Sequence, residues 1–432
     1  MTLVRVDLPE WTEKRVPGVS LSPWDRAFVE GLGENDGARI VIDEMREGVR
    51  VRSKAWVGII QLETVQICVV PKLAGENLGL VEMLEFAYGL DGLRPLRARR
   101  TIDTTGSHLL DVIAQLFAES VDALLRRGLL ADYREREQDL PAVRGRILGD
   151  RQILRRFGQI DRLECRFDEH EHDIDENRLI GAALNVCARR VAHQDVKRHV
   201  RHLRSVFDEV CDPTRFNPAA WRGQLVYHRM NEHYRDPHAL AWLILDAIGI
   251  RDVLETGKTR CFAFLIDMNR LFERFVLRLM EILVRGRPVR VRYQHPDWSI
   301  IWDASAQRPY ARVVPDILVE RRDISHACLA IDAKYKAYDD RKIASEDIYQ
   351  SFLYAFAYGG ETHGPRPALL LYPATQAPSA PLRLRIRDAR SEVAEVAAVG
   401  VHIPTVLAEC RRPGLGPSSK LLTETVEGMF LR

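Results

Sequence analysis

Val313-Val314-Pro315-Asp316 and Ala330-Ile331-Asp332-Ala333-Lys334-Tyr335 are apolar runs that each deliver a carboxylate near one end. The second run adds a lysine two positions further on. Two such carboxylates can hold Mg²⁺ against a scissile phosphate, and an ammonium beside them can steady the attacking water or the developing charge. On a strand, Asp332 and Lys334 point to one side while Ala333 turns to the other. A charged chain of 432 residues also offers this spacing by chance, as strand-end aspartates and a surface lysine. The elements around the two runs have to decide.

Upstream, apolar residues at 268, 271, 272, 275, 276, 279 and 283 predict an amphipathic helix over 264–283. Glu273 lies beside that stripe, either reaching into a site or solvated. Downstream, Asp347 to Tyr358 reads as a second helix, on which Gln350 and Tyr354 share a face, as do Tyr354 and Tyr358. That face either addresses a phosphate backbone or packs as core. Ala368 to Tyr372 then reads as a buried strand. The order helix, Asp316 strand, Asp332 strand, helix, strand is a compact αββαβ unit with the acidic strands side by side. Together these features favour a nuclease.

With Glu273, Asp316, Asp332-Ala333-Lys334 and Gln350-Ser-Phe-Leu-Tyr354 in this order, the segment resembles the PD-(D/E)xK nuclease superfamily, in its RecB-like branch. The chain from about residue 35 to 375 resembles more specifically the McrC family, the nuclease subunits of McrBC-type modification-dependent restriction systems. Further phrases carry this likeness: Trp56-Val57-Gly58-Ile59-Ile60, Val70-Pro71-Lys72-Leu73, Val143-Arg144-Gly145-Arg146-Ile147, Asp175-Glu176-Asn177-Arg178-Leu179-Ile180, Leu271-Phe272-Glu273, Tyr335-Lys336, Asp347-Ile-Tyr-Gln350 and Leu371-Tyr372-Pro373. The resemblance implies Asp316 and Asp332 as metal ligands, joined by the Ala333 carbonyl. It makes Lys334 the catalytic lysine, Glu273 an accessory carboxylate, and Gln350 and Tyr354 groups that orient substrate. Mg²⁺ is the implied cofactor, with Mn²⁺ able to substitute. The implied partners are modified double-stranded DNA and a hexameric McrB-like AAA+ GTPase, whose ring the N-terminal part docks on and stimulates. Lys72, Arg144 and Arg146 are candidates for that docking, with ordinary ion pairs as the alternative.

The sequence contains no Gly-x-x-x-x-Gly-Lys-Ser/Thr loop, so GTP would be bound by the partner only. Hydrophobic content of 46% and charged content of 29% are those of a globular protein, and a net charge of +2 does not announce a nucleic-acid binder. Arginines are instead clustered, at 94, 97, 99 and 100, at 285, 287, 290 and 292, and at 383, 385 and 387. Each cluster reads as a phosphate-facing stripe or as a solvated face. The seven cysteines are scattered, which fits a reduced cytoplasmic protein. Only Cys410 lies late in the chain, so no iron–sulfur cluster is expected. No signal-peptide core or membrane-length apolar run is present, which also points to the cytoplasm and away from membrane.

The expected fold class is a multidomain α/β chain: an N-terminal small β domain for docking over 1–105, a mainly helical middle region over 106–258, and a PD-(D/E)xK restriction-endonuclease-like α/β domain with a C-terminal extension over 259–432. Residues 1–35 read as an extended lead-in with one short helix, and 38–73 as a small antiparallel β unit. The end of the chain reads as edge strands and a frayed tail. Asp168-Glu-His-Glu-His-Asp-Ile-Asp-Glu176 looks like a metal trap, but acids are ordinary before a helix start. The adjoining Asn177-Arg178 is then structural or partner-facing. His295, His326 and His363 lack strand-face spacing with Asp332 and are not assigned. Two other functions remain open: a stand-alone RecB-like repair nuclease, and a non-catalytic adaptor that activates an AAA+ ring.

Overall fold

The computed structural model describes residues 4–33, 39–73, 77–90, 109–159, 161–221, 224–248, 261–322, 328–339, 341–360, 364–377, 380–388, 391–411 and 416–431. Arg94, Arg97, Arg99, Arg100, His326 and His363 lie outside them, as do the expected domain boundaries. The chain divides into two compact units, one of Met1–Leu109 with Gly257–Arg432 and one of Leu110–Thr256.

In the first unit the N-terminal residues are sheet. β1 (Val4–Pro9) buries Val6 and Leu8 and turns Arg5 and Asp7 outward, and β2 (Glu13–Pro17) follows. After the helix α1 (Pro23–Gly33) come β3 (Ile40–Met45), β4 (Gly48–Ser53), β5 (Trp56–Gln61) and β6 (Val65–Val70). The one short helix of the expected lead-in is present as α1, and the rest is corrected: β1 runs parallel to β6, and β2 joins β3 and β4 in a separate three-stranded sheet. The 38–73 stretch is antiparallel within itself but is split between these two sheets. α2 (Asn77–Tyr88) closes the segment.

The second unit carries the helices α3 (Leu109–Arg127), α4 (Gly149–Arg156), α5 (Asp175–Arg190), α6 (Gln194–Val210) and α7 (Arg235–Ile248). It also holds a three-stranded sheet of β7 (Asp132–Leu140), β8 (Arg146–Ile147) and β9 (Leu163–Glu171), in the order β7-β9-β8. This sheet corrects the mainly helical expectation in part. β7 reads Asp-Tyr-Arg-Glu-Arg-Glu-Gln-Asp-Leu, with no apolar alternation, and ion pairs such as Arg166–Glu137 and Arg136–Glu171 line the ladder instead. Gly145, at φ +69°, lets β8 approach, since a Cβ there would stand 2.4 Å from the Arg166 carbonyl. The acid-rich segment packs around a buried arginine: Arg178 makes bidentate bonds to Asp173 and a further bond to Asp175. Asn177 donates to the Leu130 and His172 carbonyls and accepts from Tyr234. Both side chains are structural.

The chain then returns to the first unit as β10 (Phe262–Asp267), antiparallel to β5, completing the sheet β1-β6-β5-β10. Gly58, at φ +146°, permits this, because a Cβ there would lie 2.0 Å from the Phe264 carbonyl. The helix α8 (Met268–Leu283) thus begins four residues later than its apolar spacing predicts. Phe262 to Ile266 satisfies the open edge of β5, and Asp267 caps the helix by accepting from the Asn269 and Arg270 N–H groups.

β11 (Val289–Tyr293), β12 (Asp297–Asp303), β13 (Arg308–Val313), β14 (Ile317–Arg321) and β15 (Cys328–Ala333) follow, then the crossover helix α9 (Ser345–Tyr358), β16 (Arg366–Pro373), β17 (Leu382–Arg387) and β18 (Glu392–Val401). Six of these strands form one mixed sheet, ordered β11-β14-β15-β16-β18-β17. β12 and β13 form a separate two-stranded ribbon. The αββαβ expectation omits β11 and this ribbon, which lie between α8 and Asp316. α9 packs on the sheet through Ala355, against Ala368, Leu370 and Val396. The expected frayed tail is instead two helices, α10 (Ile403–Cys410) and α11 (Pro417–Val426), whose Ile403, Leu407, Leu422 and Val426 are buried. β17 is an edge strand, while β18 is interior.

Candidate active site

β14 and β15 are antiparallel neighbours with Ile317 opposite Ile331, so Asp316, just ahead of β14, meets the end of β15. Asp316 Oδ2 accepts from the Ala333 N–H at 2.8 Å, which fixes one carboxylate oxygen and leaves the other. Lys334 Nζ donates to Asp332 Oδ1 at 3.0 Å. The lysine backbone is held in turn by its N–H bond to the Leu371 carbonyl of β16 at 2.9 Å.

Burial dominates the electrostatics. Asp332 is 1% exposed, and its Oδ2 is buried without a hydrogen-bond donor. Desolvation pushes its carboxyl up to about 7; the Lys334 ammonium pulls the other way, and the Asp316 carboxylate adds to the rise. Asp316 is raised by burial and then by the charge of Glu273, against the Ala333 N–H and Lys334. Lys334 loses solvent but is held above its ordinary value by Asp332.

Glu273, on α8, accepts from Gln294 Nε2 at 2.8 Å and Tyr293 Oη at 3.3 Å, and burial raises its pKa. Gln294 takes a left-handed conformation at φ 43°, and its own N–H donates to the Asp316 carbonyl at 2.9 Å. One residue thus ties the helix carboxylate to the Pro-Asp corner. Nothing in the local sequence marks Tyr293 or Gln294, because the signal is a backbone conformation.

On the other side, Gln350 Nε2 donates to Tyr354 Oη at 2.7 Å, and Tyr354 Oη donates to the Val314 carbonyl at 3.0 Å. The Gln-x-x-x-Tyr pair therefore buttresses the loop that carries Asp316. Tyr354 is 4% exposed and packs with Val313 and Leu318, so it positions the loop and belongs to the core. The buried Asp347 anchors the segment after the lysine, accepting from Lys336 Nζ at 3.1 Å and from Tyr338 Oη.

Tyr335 points away from Lys334. Its ring packs 5.9 Å from that of Phe272, and its Oη donates to Glu10 Oε1 at 2.7 Å. The same oxygen accepts from the N–H groups of Lys72 and Leu73. Glu10 is fully buried and its pKa is raised by desolvation. It lies 325 residues from Tyr335, and no local pattern predicts the contact.

The donors fit a hard divalent cation. Mg²⁺ is commonly held by one or two carboxylates with the remaining positions left to water and phosphate. Here Asp332 offers an unsatisfied buried oxygen next to Asp316. Among the described residues no three His, Cys, Asp or Glu side chains converge as a ready-made metal cage. The Glu273 charge acts on Asp316 from α8.

The other candidates fall outside this cluster. Arg383, Arg385 and Arg387 pair with Glu395 and Glu392 on β18, Arg287 with Glu427, and Arg292 with Glu320. These five guanidinium groups are paired with the protein's own glutamates. His295 contacts Arg292. Arg144 pairs with Glu169 and lies 4.0 Å over the Phe167 ring, Arg146 is exposed on β8, and the Lys72 side chain is exposed beyond the Glu10 contact. Among the described residues no helix is long and apolar enough to cross a membrane.

A family model described as "McrBC 5-methylcytosine restriction system component" matches residues 51–373. A curated relative, "Type IV methyl-directed restriction enzyme EcoKMcrBC" of Escherichia coli (strain K12), is 22% identical over 303 residues, covering 67% of this chain and 84% of the relative. A solved chain in the "Refined half-complex from tetradecameric assembly of Thermococcus gammatolerans McrB AAA+ hexamers with bound McrC" shares the fold. Its TM-score is 0.58 at 19% identity, covering 99% of this chain and 100% of that one. The matched family region takes in parts of both units together with Glu273, Asp316 and Asp332, and the chain belongs to the McrBC 5-methylcytosine restriction system component family.

Proposed function

We propose that this chain is the DNA endonuclease subunit of a GTP-dependent, modification-dependent restriction complex, with a PD-(D/E)xK site of Asp316, Asp332 and Lys334. The observation that carries this reading is the buried, unsatisfied Asp332 Oδ2 beside Asp316 and Lys334 at the ends of adjacent strands. Buried carboxylate oxygens are normally hydrogen-bonded. Glu10 Oε2 is open as well, so the weight rests on the open oxygen of Asp332 lying beside a second buried carboxylate and an ammonium.

Asp332 and Asp316, with the Ala333 carbonyl, would hold Mg²⁺, which supplies Lewis-acid stabilisation of the phosphoryl oxygens. Lys334 Nζ, steadied by Asp332, donates to the charge that develops on the phosphoryl group in the transition state. Glu273 raises the negative potential around Asp316, and Gln294 keeps that charge at a fixed distance. Gln350 and Tyr354 hold the Pro-Asp loop in register with β15. The solved relative is described as bound to McrB AAA+ hexamers, which supports a ring GTPase partner here. The Escherichia coli relative is described as methyl-directed, which supports modified duplex DNA as substrate.

The test is cleavage of methylated and unmethylated plasmid with Mg²⁺, with and without the AAA+ partner and GTP, comparing wild type with Asp332→Ala. Cleavage that needs partner, GTP and Asp332 supports the reading. Cleavage by the lone wild-type chain would move it to a stand-alone nuclease, and stimulated GTP hydrolysis without any cleavage would leave an adaptor.

A further inference from the structure

We propose that the ribbon β12–β13 is a DNA-gripping arm, in which Trp302 and Tyr310 contact the sugars and bases of the duplex and Arg308 and Arg312 its phosphates. The inference rests on the nuclease reading and assigns that site a substrate-holding surface.

The ribbon pairs with no strand of the six-stranded sheet. An isolated two-stranded ribbon is marginal in water, so its base must be anchored. Ile300, Ile301 and Val313 do this by packing against Tyr354 and Tyr358. The ribbon's large aromatic side chains have no comparable packing: Trp298, beside the base, is 53% exposed, and Trp302 and Tyr310, further out, are 50% and 74% exposed. Single exposed apolar residues are ordinary, but a group of aromatics on one projecting element marks a contact surface.

Charge favours nucleic acid as the occupant. Arg308 and Arg312 form no ion pair among the described residues, whereas Arg287, Arg292, Arg383, Arg385 and Arg387 are each matched to a glutamate. The ribbon's own acids are turned onto its backbone: Asp297 accepts from the Ser299 N–H and Oγ, and Asp303 from the Ser305 and Ala306 N–H groups. The two carboxylates are thus engaged locally, and the exposed guanidinium groups of Arg308 and Arg312 are the ribbon side chains open to phosphate. Two-stranded ribbons fit the major groove, where apolar side chains pack against thymine methyl groups.

Position completes the case. β13 ends at Val313, Tyr354 holds the Val314 carbonyl, and Asp316 follows two residues on. The ribbon and the metal-binding carboxylate thus share a rigid base. At roughly 3.3 Å per residue, β12 reaches on the order of 20 Å from it, more than half of a DNA turn.

The test uses the full chain in EDTA, so that no strand is cut, and follows fluorescence anisotropy of a labelled 30-mer duplex from low to moderate salt. Trp302→Ala/Tyr310→Ala should weaken binding at least tenfold with an unchanged melting temperature, and Trp302→Phe should largely retain it. Arg308→Gln/Arg312→Gln should reduce the slope of log affinity against log salt by about 1.8, roughly 0.9 per lost phosphate contact. With Mg²⁺, partner and GTP restored, both variants should raise KM for plasmid more than they lower kcat. If the variants bind and cut like wild type while wild type cleaves, the ribbon assignment falls and the nuclease stands. If wild type neither binds nor cuts DNA, both fall. If DNA binding is unchanged but stimulation of the partner's GTP hydrolysis is lost, the ribbon is a protein interface and the proposal is overturned.

Discussion

At Asp332 a carboxylate has been taken out of water and left one oxygen short of a donor. Without a cation this is costly, and the group answers by keeping its proton up to a pH of about 7. The sign follows directly. The folded state binds more protons than the unfolded state between the ordinary carboxylate range and pH 7, so the metal-free protein loses stability as pH rises through that window. Thermal melts in EDTA should show this decline, and Asp332→Asn should flatten it. Because the ligand must be deprotonated, Mg²⁺ affinity should rise with pH up to about 7, as titration calorimetry would show. Lys334→Ala should lower kcat by about 10²–10³-fold, the usual cost of one donor aimed at developing charge. Steady-state kinetics with saturating Mg²⁺ would measure it. Side-chain alternation put Asp332 and Lys334 on one side, and the flanking elements were needed to read the pair as a site. Gln294 was not legible, since its role comes from a left-handed backbone that brings its N–H to Asp316 and its amide to Glu273.

Among the elements, α8 and α9 were legible because each carries an apolar stripe at helical spacing. Their starts were less so: Phe262 to Ile266 is an unbroken apolar run, which suits a buried strand as well as a helix, and the edge of β5 decided it. Asp267 marks the switch. Asp267→Ala should cost about 1 kcal/mol, the usual value of an N-cap, with the loss read by chemical denaturation. β7 escaped sequence reading for a different reason, since its ladder is lined by charge. In the smaller unit Arg178 is a stronger feature than any of these. Its charge is paid for by Asp173, whose pKa it depresses to about 2. Arg178→Ala would leave Asp173 only Arg215 and the Asp212 N–H and should destabilise the unit by about 2 kcal/mol. The pH sign is opposite to that of Asp332: the stabilisation is present above the ordinary aspartate range and is lost as pH falls from about 4 toward about 2.

At the scale of the molecule, the linear order of the sequence hides how the first unit is assembled. β10 crosses back to complete the sheet begun by β1, β5 and β6, and Tyr335 reaches Glu10. A reading that runs along the chain sees an N-terminal module and a C-terminal nuclease, because periodicity and motifs are local while these contacts span some two hundred residues and more. Glu10 carries a practical consequence. Tyr335, next to Lys334, is moored to the Glu10 side chain across 325 residues. A nuclease fragment begun near residue 259, as motif boundaries invite, would bare the inner edge of β10 and leave the Tyr335 hydroxyl without its acceptor. Recombination that exchanged the front half for a distant relative's would have to carry a matching Glu10 and Gly58 with it.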